Sequence, residues 1–211
     1  MQPMDRRQIL AIARAAFGLL VLIAVAFQAK TLIDNGLFRP LRYFAFFTIL
    51  SNLFGAILFL VLAARWRAPR THTVDVLRGA AVVYLVVTFI VVLVLLSGAE
   101  LQVGVPWVDF IVHTLFPLVV VVDWLIDPPS TDIRLQDVAK WLAFPIIWVA
   151  LTLARGAADH WYPYPFLDPA YGGYRSVAYH VGMILAGFLV ISGAVNAISD
   201  VLRVRAGRRS A

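Results

Sequence analysis

Six stretches of the chain run close to 20 residues with almost no charge, the length a helix needs to cross a bilayer core of about 30 Å. They cover Ile9–Ala29, Leu41–Ala64, Arg78–Ala99, Val105–Ile126, Val138–Arg155 and Ser176–Ile198. Only five short connections and two short tails remain, so the pattern predicts an all-α integral membrane bundle of six transmembrane helices, one domain over residues 1–211. The few polar positions inside these stretches are spaced informatively. In "FFTILSNLFG", Phe46 to Gly55, Thr48, Ser51 and Asn52 recur at i, i+3 and i+4 and share one helix face. In the fourth stretch Asp109 precedes His113 by four residues, the spacing at which helical side chains meet.

Composition supports the membrane reading. The chain is 62% hydrophobic and 14% charged, with a mean hydropathy of +0.85, whereas soluble domains are about a quarter charged. Arg6 and Arg7 precede the first stretch and Ala24-Val25-Ala26 imitates a cleavage site, but its length favours a retained helix over a signal peptide. The absence of cysteine excludes disulfides, thiolate metal sites and thiol nucleophiles. With the N-terminus in the cytoplasm, thirteen of the 18 lysines and arginines lie inside; Lys30, Arg39, Arg42, Arg155 and Arg175 lie outside. The positive-inside rule thus predicts both termini on the cytoplasmic side of the cell membrane. The basic "RVRAGRR", Arg203 to Arg209, is expected on anionic headgroups, with no nucleic-acid partner.

Counted from the outer ends, Thr48 lies seven residues into its stretch, about 10 Å, and His113 eight, about 12 Å, at the helical rise. Two chemically capable groups therefore share one depth. An ionisable residue inside a membrane helix faces the bundle interior by default and marks function. The Asp109 carboxylate would hold one imidazole nitrogen of His113 and leave the other free to accept a proton. A threonine hydroxyl needs such a base beside it to act as a nucleophile. Ser51 and Asn52, one turn away, are candidate donors to a developing oxyanion. The competing reading is structural: Ser, Thr and Asn hydrogen-bond between membrane helices, and Gly55 permits close packing.

Three other features are polar or aromatic. Arg155, ending the stripe Trp141, Pro145, Trp148, Thr152 on the fifth stretch, is a candidate partner for a fatty-acid carboxylate, or a headgroup anchor paired with Asp159 or Asp168. "HWYPYPFLDPAYGGY", His160 to Tyr174, holds three prolines and reads as an ordered cap over the outer mouth or as an aromatic belt. Asp123 is expected to pair with Arg65 or Arg78, and Arg14 to snorkel inward.

The combination of "FFTILSNL", "VHTLFPLVVVVDWL" and "WYPYPFLDP" resembles a bacterial family of six-helix membrane proteins. That family is in turn distantly similar to the androgen-induced and androgen-dependent regulator proteins of animals, membrane threonine hydrolases that cleave fatty acid esters of hydroxy fatty acids. The resemblance implies Thr48 as nucleophile and His113 as its histidine, a lipid ester as substrate, and no cofactor or metal. Two alternatives stand beside it: a non-catalytic lipid-binding protein, and an electron-transfer protein with His113 and His180 as haem ligands. A transporter predicts broken helices or midplane charges, of which the sequence offers only Pro117 and Pro145, expected to kink their helices; a retinal pigment predicts a lysine in a helix core, and none lies there.

Overall fold

The computed structural model describes residues 5–96 and 104–209, with side chains described as far as Val204. Six helices are long and apolar enough to cross a membrane: α1 (Arg6–Asp34), α2 (Phe47–Ala64), α3 (His72–Leu95), α4 (Pro106–Ile126), α5 (Leu135–Asp159) and α6 (Gly173–Arg209). No strand occurs among the described residues. The expected end of the third stretch at Ala99, and the side chains of the basic tail from Arg205 onward, lie outside the described residues.

Helix α3 is the centre. It packs against α2, α4 and α6, and every residue from Arg78 to Leu85 is buried, as expected of a helix that is apolar on all faces. Gly79 lets α5 approach: a Cβ there would lie 2.2 Å from the Trp141 ring. The Trp141 indole N–H donates to the Val76 carbonyl at 2.8 Å, tying α5 to the central helix. Helix α1 lies along α2.

Prolines set the irregularities. Pro145 has no N–H to give the Trp141 carbonyl, and α5 accordingly breaks at Leu142 into Leu135–Trp141 and Ala143–Asp159. Pro117 likewise cannot donate to the His113 carbonyl. The preceding turn, Ile111–Leu115, widens to a π-helical turn in which the Phe116 N–H bonds the Ile111 carbonyl.

The second stretch differs from its expected course. Instead of one helix from Leu41, Pro40 opens a single turn, Pro40–Tyr43, and α2 starts only at Phe47. Two long-range bonds hold the break open. The Tyr43 hydroxyl donates to the Val25 carbonyl at 2.7 Å, and the Trp148 indole N–H donates to the Ala45 carbonyl at 2.9 Å. Thr48 is therefore the second residue of a helix rather than the eighth.

Candidate functional site

Beginning α2 at Phe47 leaves the amides of its first turn without helical acceptors. One is met by the cap: the Thr48 N–H donates to the Tyr164 hydroxyl at 3.3 Å, and the same hydroxyl lies 3.2 Å from Thr48 Oγ1. Tyr164 is buried, stacked at 5.2 Å on Phe166 and edge-on to Phe46 at 5.6 Å. Burial pushes its phenol above the ordinary value against the hydrogen bonds from Thr48, so it remains a neutral hydroxyl. The segment that carries it folds back on α5 because Gly156 has no side chain; a Cβ there would lie 2.1 Å from the Tyr162 ring.

His113 sits in the π-helical turn of α4, a distortion frequent at functional sites. Its Nδ1 lies 2.7 Å from Asp109 Oδ1. The carboxylate can only accept, so Nδ1 carries a proton, and Nε2 has no partner among the described residues. The ring is 6% exposed.

Two cavities meet here. A chamber of about 420 Å³ with a mixed lining sets Gln28, Arg39, Arg42, Thr48 and His113 among Leu32, Leu37, Phe46, Ile49, Val112 and Trp161, with Tyr164 on its wall. A narrow apolar cleft of about 100 Å³ runs between α3, α5 and α6, lined by Val91, Pro145, Trp148, Ile184 and Phe188, and it too reaches Thr48 and Tyr164. Thr48 and Tyr164 are the two residues common to both linings. Arg39 and Arg42 have no acidic partner among the described residues, and the Arg42 guanidinium lies 5.1 Å from the Trp161 ring centre.

Helices α2 and α4 adjoin: the Asn52 amide donates to the Val112 carbonyl at 3.0 Å, and Phe59 meets Phe116 at 5.4 Å. Thr48 and His113 face the chamber together without a hydrogen bond between them. Ser51 and Asn52 are placed differently from oxyanion donors. Asn52 spends its amide on the carbonyls of Thr48 and Val112, at 2.9 and 3.0 Å, and the Ser51 hydroxyl donates to the Thr48 carbonyl at 3.2 Å. They fix the backbone of Thr48 and join helices. Arg155 lines neither cavity; it donates to the Leu41 carbonyl at 3.3 Å, lies 3.9 Å from Asp159 and stands over Trp161 at 4.9 Å, the anchor reading. His180 also lines neither cavity, and its Nδ1 bonds the Ser176 carbonyl at 2.8 Å, so it does not face His113 across a ligand space.

Tyr164, Arg39 and Arg42 are the site residues that sequence reasoning missed. The first was one aromatic among several in the cap, and the other two were counted only as outer charges.

The opposite end of the bundle holds a charge cluster. Arg14 is buried and meets Asp123 at 2.7 Å and Asp127 at 2.6 Å, which corrects the expectation that it snorkels free of partners. Asp123 also takes Arg78 at 2.9 Å, not Arg65, and Arg70 reaches Asp127 at 3.0 Å. Asp75 accepts four bonds on one oxygen from Ser130 and Thr131, at 2.8 to 3.1 Å. Burial alone would raise the Asp127 carboxyl, but the Arg14 hydrogen bond and the charges of Arg78 and Arg70 outweigh it and hold the group below its ordinary value.

No known protein family, curated protein or solved structure matches the chain.

Proposed function

We propose that the protein hydrolyses lipid esters within the membrane, with Thr48 as nucleophile and His113 as base. One observation carries this: Thr48 and Tyr164 alone border both the chamber that contains His113 and an apolar cleft. An ester lying across that boundary puts its acyl chain in the cleft, its polar part in the chamber and its carbonyl at Thr48.

The residues then divide the chemistry. The Thr48 hydroxyl adds to the acyl carbonyl and gives its proton to His113 Nε2, while Asp109 holds Nδ1–H and stabilises the imidazolium. The oxyanion takes over the Tyr164 O–H and the amides of Thr48 and Ile49 at the start of α2, where the helix end is partially positive. Collapse breaks the ester C–O bond, His113 returns the proton to the departing alkoxide, and an acyl-threonine remains. Water, deprotonated by His113, adds to that acyl group; collapse releases the carboxylic acid and regenerates the Thr48 hydroxyl. Arg39 and Arg42, rather than Arg155, are placed to hold an anionic group on the alcohol part of the substrate. The resemblance to membrane threonine hydrolases agrees with these roles. The excess of Lys and Arg near Arg14, Arg70 and Arg78 supports cytoplasmic termini and a chamber open to the outer leaflet of the cell membrane.

A second reading, non-catalytic lipid binding, draws on the missing hydrogen bond between Thr48 and His113. Free-enzyme geometry is often loose and tightens only on the substrate. The deciding experiment incubates detergent-purified protein with an esterified hydroxy fatty acid and with a fluorophosphonate probe, beside folded Thr48→Ala and His113→Ala variants. Turnover and labelling by the parent protein, lost in both variants, is the expected result. Absence of both in the parent across a range of lipid esters selects lipid binding instead.

A further inference from the structure

A third cavity, of about 520 Å³, lies toward the charge-cluster end, between α2, α3 and α5. Its α3 wall is the row His72, Val76, Ala80 and Tyr84, four residues apart, with Thr73 and Leu77 beside it. The α3 wall runs from His72 to Tyr84, about 18 Å at the helical rise, and the α5 wall from Asp137 to Phe144, about 10 Å, so the cavity is an elongated slot along the two helices. Leu50, Phe54, Trp141 and Phe144 complete the walls. The volume falls within the range of about 300–1,000 Å³ typical of small-molecule sites.

The mouth is ionic. Asp137, 1% exposed, accepts from Lys140 at 2.7 Å and lies 3.1 Å from His72 Nε2. The Lys140 side chain is 66% exposed, and its ammonium has three donors of which Asp137 takes one, leaving the others for an incoming anion. The surrounding end of the bundle is rich in arginine, so the field there favours an acidic headgroup.

The blind end is a layer of four rings. Phe144 and Tyr84 face the slot, and Phe47 and Phe188 face the cleft that reaches Thr48. Phe47 lies 5.4 Å from Phe144 and 5.9 Å from Phe188, and Tyr84 lies 5.4 Å from Phe144 and 6.4 Å from Phe188. One aromatic layer thus separates slot from cleft.

We infer that this slot is a second lipid site, which takes a single long-chain carboxylate with its head at Lys140 and His72 and its chain along α3 toward Phe144. The inference rests on the hydrolase reading only for the origin of the ligand, since the acid released into the cleft lies one ring layer away.

The test uses the full chain in detergent and a palmitate analogue with a diazirine at its chain end. Ultraviolet labelling is expected on the α3 and α5 peptides that contain Tyr84 and Phe144, displaced by unlabelled palmitate and not by hexadecanol. Ala80→Phe fills the slot at mid-length and should lose this adduct. Lys140→Gln, which keeps an N–H donor for Asp137 but removes the positive charge, should raise the palmitate concentration needed for displacement. Adducts confined to the cleft, adducts unchanged in both variants, or displacement by phosphatidylglycerol but not by palmitate would each overturn the site. Ester turnover by the same preparation is scored separately: turnover without slot adducts sinks this inference alone, and slot adducts without turnover sink the hydrolase reading alone.

Discussion

At the end of the bundle that holds Arg14, Arg78 and Asp123, each buried charge faces an opposite one; at the end that holds Thr48 and His113, the reactive atoms face cavities. Both ends bury polar groups at a cost that only partners offset. The first end finds those partners within the chain and becomes a clamp between α1, α3 and α4. The second leaves His113 Nε2, Arg39 and Arg42 without protein partners among the described residues, and a site that must receive something else is built that way. The difference between the ends lies in charge pairing: at the closed end Arg78 Nε and Nη1 and Asp75 Oδ1 also lack hydrogen-bond partners among the described residues, but each of those charges has an opposite one within 4 Å.

That contrast can be broken by mutation, and the largest expected effect is at the open end. Thr48→Ala should abolish ester turnover and fluorophosphonate labelling while leaving the unfolding temperature in detergent nearly unchanged. A residual rate close to that of the parent protein would remove Thr48 from the chemistry. Next in size is the closed end. Asp123→Ala removes the carboxylate shared by Arg14 and Arg78, leaving Asp127 to Arg14 and the Asp127 carbonyl to Arg78, and should destabilise the fold by less than the about 3–5 kcal/mol of a fully uncovered buried charge. Thermal unfolding measures it, and an unchanged midpoint would show the clamp to be dispensable.

Tyr164→Phe sharpens the comparison at the boundary of the two cavities. Losing one oxyanion donor typically lowers kcat by about 10²–10³-fold, and the KM for the ester should hold steady. A fall in stability without a fall in kcat would recast Tyr164 as a plug. Gly79→Ala tests close approach at the centre. Its Cβ would lie 2.2 Å from the Trp141 ring, and such overpacking costs about 1–3 kcal/mol, read as a lower unfolding midpoint with ester turnover retained. The smallest effect is in pH. Because the folded state holds the Asp127 carboxyl below its ordinary value of about 4, the folded state binds that proton less well than the unfolded chain does. Its contribution is complete above the ordinary carboxylate range and is lost as pH falls through the folded value. Asp127→Asn should flatten this acid limb of the unfolding curve, and an unchanged slope would assign the limb to other carboxylates.

The six helices were legible because a span of apolar residues is a long signal, and so was the Asp109–His113 pair, because a spacing of four on a helix is local. Helix ends were less so. The start of α2 at Phe47 depends on Trp148, 103 positions away, taking the Ala45 carbonyl, and nothing in "RPLRYFAFF" announces that bond. Arg14 looked like a snorkelling residue because its partners lie 109 and 113 positions downstream. Ser51 and Asn52 were read onto the correct face, but composition cannot say whether an amide on that face serves a substrate or a neighbouring carbonyl. Tyr164 was hidden by company, one of six aromatics within fifteen residues.

The Arg14–Asp123 pair also bears on how the chain enters the membrane. An arginine within a helix opposes insertion by about 2.5–3.5 kcal/mol at mid-depth and by less near an end. Its counter-charge lies on α4, 109 residues later, so the pair can form only once α4 has been made.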